Sequence, residues 1–166
     1  VVTEQDLHIQ VDLQRQQLRL LSGNRCIENY LVSTARNGAG ECQGSGCTPR
    51  GVHRIRLKIG AGQPLNSVFV GRRPTGEIYT PELAAANPGR DWILTRILWL
   101  TGLEPGRNRG GSVDSLRRFI YIHGTPDSEP MGQAASHGCI RMRNSELIRL
   151  FDQVSVGTRV DIREQF

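Results

Sequence analysis

The residue types able to do covalent chemistry concentrate in two short segments, Ile120-Tyr121-Ile122-His123-Gly124-Thr125 and Ser136-His137-Gly138-Cys139-Ile140-Arg141-Met142. A thiol attacks a carbonyl as its thiolate, so a nucleophilic cysteine needs an imidazole or another cation beside it to take or balance the proton. His123 at the end of an apolar run, with a loop returning to Cys139, supplies that partner. Gly138 removes the side chain next to the nucleophile, which opens an approach for a substrate carbonyl and permits a backbone that aims N–H groups at a developing oxyanion. Arg141, two residues beyond Cys139, shares a strand face with it and is suited to a substrate carboxylate.

Two other readings use the same residues. Cys139 taken alone is a small buried hydrophobe, with both histidines as satisfied polar groups. Alternatively, His123, His137 and Cys139 are zinc ligands, although their spacing matches no ligand pattern that geometry justifies. The glycine-rich flanks and the apolar elements on either side favour the nucleophile.

The remaining sequence describes what must position these groups. Residues 7–13 alternate Leu7, Ile9, Val11 and Leu13 against His8, Gln10 and Asp12, the period of a strand with one buried face. Gln17 to Leu21 and Arg25 to Ser33 flank a Ser22-Gly23-Asn24 turn and read as a hairpin. Residues 35–51 are too punctuated by glycine and proline for a regular element, and alternation resumes at Ile55, Leu57 and Ile59. Short strands are expected at 68–70 and 77–80. From 81 to 111 the pattern loosens and reads as a lid-like insertion, with a helical candidate at 81–86. Trp92 and Trp99 lie seven positions apart, which a helix would place on one face. Residues 144–154 form the clear helix, capped by Asn144, with Glu146 at its positive end and Leu147, Ile148, Phe151 and Val154 along one side. A last strand is expected at 158–162. The fold class is therefore mainly β, a sandwich-like domain over 1–166 with one packed helix near the C-terminus.

Composition narrows the function classes. The 166 residues include 37% hydrophobic and 22% charged, enough for an ordinary core, and the longest apolar run is broken by Thr95 and Arg96, which excludes a membrane span. Lys and Arg total 21 against 16 Asp and Glu, a net charge of +5, but the arginines are dispersed among acids and no basic run interleaves aromatics. Nucleic acid is thus not the expected partner, whereas carboxylate-bearing substrates suit the arginines. Four cysteines are too few for a disulfide scaffold. Cys42 and Cys47 bracket a Gln43-Gly44-Ser45-Gly46 loop that can close a small disulfide or hold two free thiols.

Ser136-His137-Gly138-Cys139-Ile140-Arg141-Met142, with Ile122-His123-Gly124-Thr125 upstream, resembles the catalytic signature of the L,D-transpeptidases with the YkuD-like fold. Val11-Asp12-Leu13 with 17–21 resembles the family's first hairpin, 31–38 its following strand and turn, and Thr48-Pro49-Arg50-Gly51 sits where the family has Thr-Pro-x-Gly. The resemblance runs over most of the chain except 81–111.

It implies a cysteine enzyme, without cofactor or metal, acting on peptidoglycan stem peptides. Cys139 attacks the bond after the L-centre of diaminopimelate in a tetrapeptide, and terminal D-alanine leaves. His123 is the base, Gly124 orients its imidazole through the backbone, and the N–H groups of Gly138 and Cys139 form the oxyanion hole. Ser136, His137, Arg141 and Tyr121 shape the substrate site. Arg72, Arg73, Arg107 and Arg109 are either candidates to steer an acidic stem or solvated surface cations, and 81–111 is the candidate to admit or exclude an acceptor. The thioester then passes to an amine, giving an L,D cross-link, or to water, giving a trimmed tripeptide. The first implies a periplasmic or cell-wall enzyme whose export signal is gone, the second a cytoplasmic recycling enzyme. An odd number of cysteines beside Cys139 leaves at least one thiol free, as suits a reducing compartment.

Overall fold

A computed structural model describes residues 6–166. Alternating apolar residues produce strands β1 (Leu7–Asp12), β2 (Gln17–Ser22), β3 (Arg25–Leu31), β4 (Gly51–Ile59), β5 (Ser67–Val70), β6 (Arg73–Ile78), β7 (Ile93–Gly102), β8 (Tyr121–Thr125), β9 (Ile140–Arg143) and β10 (Arg159–Arg163), with helices α1 (Pro81–Ala86) and α2 (Asn144–Gln153). All ten strands join one curled sheet in the order β3-β2-β1-β10-β4-β7-β5-β6, and β8 and β9 branch from β7. β1 to β3 are antiparallel neighbours, and β10 returns beside β1 in parallel. Ile9, Val11, Leu18, Leu20, Ile55, Val160 and Ile162 all face inward and are fully buried. The curl wraps them around α2, whose Leu147, Leu150 and Phe151 close the same core. Removing this apolar surface from water is what holds the layers together.

The structure corrects two expectations. The stretch 81–111 is not one insertion, because residues 93–102 form β7, the strand to which β4, β5 and β8 all pair. Trp92 and Trp99 accordingly share no helical face: Trp92 packs edge-on against Tyr79, Trp99 against Tyr121. The period-two signal of β7 is hidden by a bulge. Leu94 pairs with Gly124 and Ile97 with His123, so Thr95 and Arg96 are extra residues, and Thr95 sits at φ 74°. A β-branched residue in that region is a genuine outlier, and bulges of this kind re-aim the neighbouring strand.

Asn144 is likewise not a cap. Arg143 precedes the helix without a side-chain cap bond, and the Asn144 side chain is buried in the bulge. Its Oδ1 accepts from Thr95 Oγ1 at 2.6 Å, and its Nδ2 donates to Thr125 O at 2.8 Å and Asn66 Oδ1 at 3.0 Å. One amide therefore ties β7, β8 and the start of α2 together.

A second buried polar knot anchors the loop after β7. Asn108 Nδ2 donates to Arg50 O and Val52 O, and its Oδ1 accepts from Glu104 N. His53, fully buried on β4, contacts Gly51 O through Nδ1 at 3.0 Å and Ser115 Oγ through Nε2 at 2.8 Å. A carbonyl only accepts, so Nδ1 carries a proton. Burial lowers its pKa to about 4 from 6.5. Its stabilising contribution is therefore complete above pH 6.5 and is lost as pH falls towards 4, a difference of about 3 kcal/mol at most. Thermal unfolding followed from pH 7.5 to 4.5 will show a falling Tm, and His53→Gln will be less stable at pH 7.5 yet lose less on acidification.

Candidate active site

His123 lies on β8, 2% exposed, opposite Ile97 at the far side of the bulge. Its Nδ1 is 2.6 Å from Gly124 O. Because that oxygen can only accept, Nδ1–H is the donor, and the lone pair of Nε2 is left to take a proton. The site explains Gly124: any Cβ there would collide with Asn144 Oδ1 and with Leu94 O, 2.5 Å away.

Cys139 immediately precedes β9, whose parallel pairing to β8 brings it alongside His123 in one cleft of about 340 Å³. Among the described residues the thiol donates to Phe119 O at 3.3 Å and accepts from Tyr121 N–H at 3.4 Å. Burial pushes the thiol pKa up, against the pull of the Tyr121 amide and of the Arg141 and Arg118 cations, with Asp91 adding to the rise. Burial pulls the His123 imidazole down, opposed by its bond to Gly124 and by Asp91. Burial thus biases both groups towards their uncharged forms, thiol and neutral imidazole.

The loop carrying Cys139 is pinned from below. Ser136, 2% exposed, donates from Oγ to Cys139 O at 2.5 Å and accepts from Gly138 N at 3.2 Å. The Gly138 amide is thus engaged with Ser136 in this arrangement, and the amide aimed at the sulfur is that of Tyr121. Gly138 itself adopts φ 133°, and its carbonyl accepts from Thr48 Oγ1 at 2.9 Å. That hydroxyl also accepts from Ala35 N at 3.0 Å, so the threonine of Thr48-Pro49 has a structural role in which one buried oxygen clamps the glycine beside Cys139.

Arg118, which sequence reasoning missed among many arginines, grips the 40–47 loop through Gly40 O, Glu41 O and Cys47 O, the last at 2.7 Å. The Cys47 sulfur turns into its own loop towards Asn37 O, and all four cysteines are free thiols. Arg72 also acquires a place, though its neighbour Arg73 does not. At the tip of the β5–β6 hairpin, its guanidinium stacks on Trp99 and Phe119 and donates to Tyr121 Oη at 3.2 Å. Phe119 holds φ 57°, a strained value that turns its carbonyl to the thiol.

The sequence-predicted residues mostly converge. Cys139, His123, Tyr121, Ser136, His137 and Arg141 line the same cleft, with His137 exposed at its rim. Arg141 is largely buried and its Nη2 lies 3.6 Å from Asp91 Oδ1. Arg107 pairs with Glu104 away from the cleft. No group of three or more His, Cys, Asp or Glu side chains among the described residues is gathered to hold a metal, and no described helix is long and apolar enough to cross a membrane.

The family model of the L,D-transpeptidase catalytic domain, YkuD, matches residues 6–162. The chain belongs to this L,D-transpeptidase family. The Salmonella typhimurium protein named probable L,D-transpeptidase ErfK/SrfK is 34% identical over 123 residues, 69% of this chain and 39% of that protein. Escherichia coli YbiS, also named a probable L,D-transpeptidase, is 32% identical over 130 residues, 70% of this chain and 40% of its own. The chain thus spans about two fifths of these relatives. The fold is that of an L,D-transpeptidase from Xylanimonas cellulosilytica (TM-score 0.59, 20% identity, 95% of this chain and 60% of that one) and of an L,D-transpeptidase solved with imipenem (TM-score 0.57, 15% identity, 95% and 59%).

Two outcomes follow for the L,D-transpeptidase site. Site-resolved mass spectrometry of iodoacetamide labelling will show Cys139 alkylation still climbing at pH 9; a plateau from pH 6 would mean a resting thiolate instead. Thr48→Val, which leaves Ala35 N–H and Gly138 O unpaired, will cost about 1–3 kcal/mol of stability, measurable by denaturant unfolding.

Proposed function

We propose that this domain transfers acyl groups from peptidoglycan tetrapeptide stems through a thioester on Cys139. The observation that carries the reading is His123, bonded through Nδ1 to Gly124 O, sharing a cleft with Cys139, because that bond leaves Nε2 to serve as the base beside the thiol. When a stem peptide enters, His123 Nε2 takes the thiol proton as Sγ bonds to the carbonyl carbon of the diaminopimelate L-centre. The tetrahedral oxyanion is held by the N–H groups of Cys139 and Tyr121. Collapse breaks the C–N bond, and His123 returns the proton to the departing D-alanine amine. An incoming amine then gives its proton to the same nitrogen and attacks the thioester, releasing the cross-linked product and the thiol. Proton and leaving group both move on the His123 side, so the departing and arriving amines use the same half of the cleft.

The Arg118 and Arg141 cations both favour the thiolate as it forms. Arg141 is also the nearest partner for a stem carboxylate, once Asp91 is displaced or shared. Water in place of the amine converts the same acyl-enzyme chemistry into L,D-carboxypeptidase action.

Incubation with a soluble disaccharide tetrapeptide, with and without excess free D-amino acid, tests the reading by product mass spectrometry. Cross-linked dimer or D-amino-acid exchange is expected, and Cys139→Ala will release no D-alanine above background. Imipenem, bound by a structural relative, will add to Cys139 alone among the four thiols. D-Alanine release by Cys139→Ala would remove the mechanism.

A further inference from the structure

The outer face of the sheet carries a second concave surface. A groove of about 650 Å³ follows the parallel pair β1 and β10 and ends against the 155–158 turn. It shares no lining residue with the catalytic cleft, and β4 and β7 stand between β10 and the strand that bears His123. Alternation supplies the lining: with Ile9, Val11, Val160 and Ile162 in the core, His8 and Gln10 face outward beside Arg159, Asp161 and Arg163. Antiparallel pairing then sets Arg19 of β2 opposite Gln10 and Arg54 of β4 opposite Arg159.

Positive charge outweighs negative in the middle of this face. Asp161 is 5% exposed, and its Oδ2 receives Arg163 Nη2 at 2.9 Å and Arg159 Nη2 at 3.7 Å. One buried carboxylate therefore gathers two guanidiniums that stay more than half exposed, and Arg163 also lies 4.8 Å over the Phe166 ring. Gln10 Oε1 is taken by Arg19 Nη2 at 2.6 Å, and neither Arg19 nor Arg54 has an ion pair among the described residues. Asp6, the other acid of the lining, stands at the end away from Arg163. The face is thus rich in N–H donors, and what would match it is a set of oxyanions.

These arginines come from β2, β10 and β4, and strands about 4.8 Å apart spread them over ~14 Å. A single small anion spans the Arg159 and Arg163 pair alone, whereas a chain of anions crossing the strands meets Arg19 and Arg54 as well. No aromatic side chain lines the groove, so nucleic-acid bases have nothing there to stack on. A flat bilayer does not enter a concave groove, and the apolar side chains of the lining are only Leu7 and Val156.

We infer that this face binds a base-free phosphodiester polymer, a chain of polyol or sugar phosphates, with Arg159 and Arg163 on one phosphate and Arg54 and Arg19 on its neighbours. Such a polymer holds the domain by a surface that leaves the catalytic cleft open, and it raises the effective concentration of anything attached to the same polymer. The inference is independent of the acyl-transfer reading.

Anisotropy of a fluorescent poly(glycerol phosphate) chain, titrated with the protein from about 50 to 200 mM salt, tests it. Each neutralised phosphate adds ~0.7 to the slope of log Kd against log salt, so a slope of about 2–3 is expected. Arg54→Gln/Arg159→Gln will weaken binding about tenfold or more at the lowest salt and reduce the slope by about 1. Arg73→Gln/Arg109→Gln, which removes the same net charge elsewhere, will change Kd by less than about twofold. Tm, recorded for each variant, will match the wild-type value. Inorganic phosphate, phosphatidylglycerol vesicles and a single-stranded oligonucleotide of equal charge will bind about fivefold or more weakly than the polymer. No saturable binding of the polymer, equal losses in the two double variants, or a comparison probe that binds as tightly as the polymer would overturn the inference. D-Alanine release from the soluble disaccharide tetrapeptide tests the acyl-transfer reading separately, and its outcome leaves these binding results as they stand.

Discussion

The site depends on a hydrogen bond between neighbours in sequence, His123 Nδ1–H to Gly124 O. That bond decides which imidazole nitrogen is free, and a buried ring without it would have neither a fixed tautomer nor a fixed direction. Its geometry is imposed from outside the strand. The bulge at Thr95 and Arg96 lets β8 change course between its pairings with Leu94 and Ile97. Asn144 then closes the gap, bonding Thr95 on one side and Thr125 on the other. Gly124 is the one residue type that fits between them, and it is also the residue whose carbonyl is used.

Cys139 is held by an independent set of contacts that converge on the same cleft. Ser136 holds the Cys139 carbonyl, Thr48 the Gly138 carbonyl, and Arg118 the loop that passes beneath both. The first two are hydrogen bonds from neutral, buried hydroxyls to backbone oxygens, so they fix position without bringing a charge to the sulfur. The charges acting on it come from Arg118, Arg141 and Asp91. Burial favours the uncharged thiol and imidazole, and of these outlying charges Arg141 and Asp91 act on both groups.

Much of this was legible in the sequence because period and spacing report it. The hairpin strands, α2 and the two motif segments follow from alternation, helical spacing and the clustering of His123 with Cys139. What was hidden depends on tertiary contacts that break local rules. β7 lost its alternation to a bulge, and its residues passed for part of an insertion. Asn144 looked like a cap because asparagine before an apolar helix usually is one, whereas here the side chain is drawn into the core by Thr95. Arg118 gave no signal among 21 cations, since only the fold brings three loop carbonyls to its guanidinium. Asp91 stands in a stretch without periodicity, and its relation to Arg141 exists only across the cleft.

The proposed mechanism requires a neutral His123 imidazole protonated on Nδ1 and able to accept at Nε2. Nitrogen-15 NMR of histidine-labelled protein, with His123 assigned by comparison with a His123→Gln variant, measures this directly. At pH 7 the spectrum is expected to show a protonated Nδ1 and a pyridine-like Nε2 whose signal holds its position well below pH 6. Two protonated ring nitrogens at pH 7, the signature of an imidazolium paired with a thiolate, would contradict it.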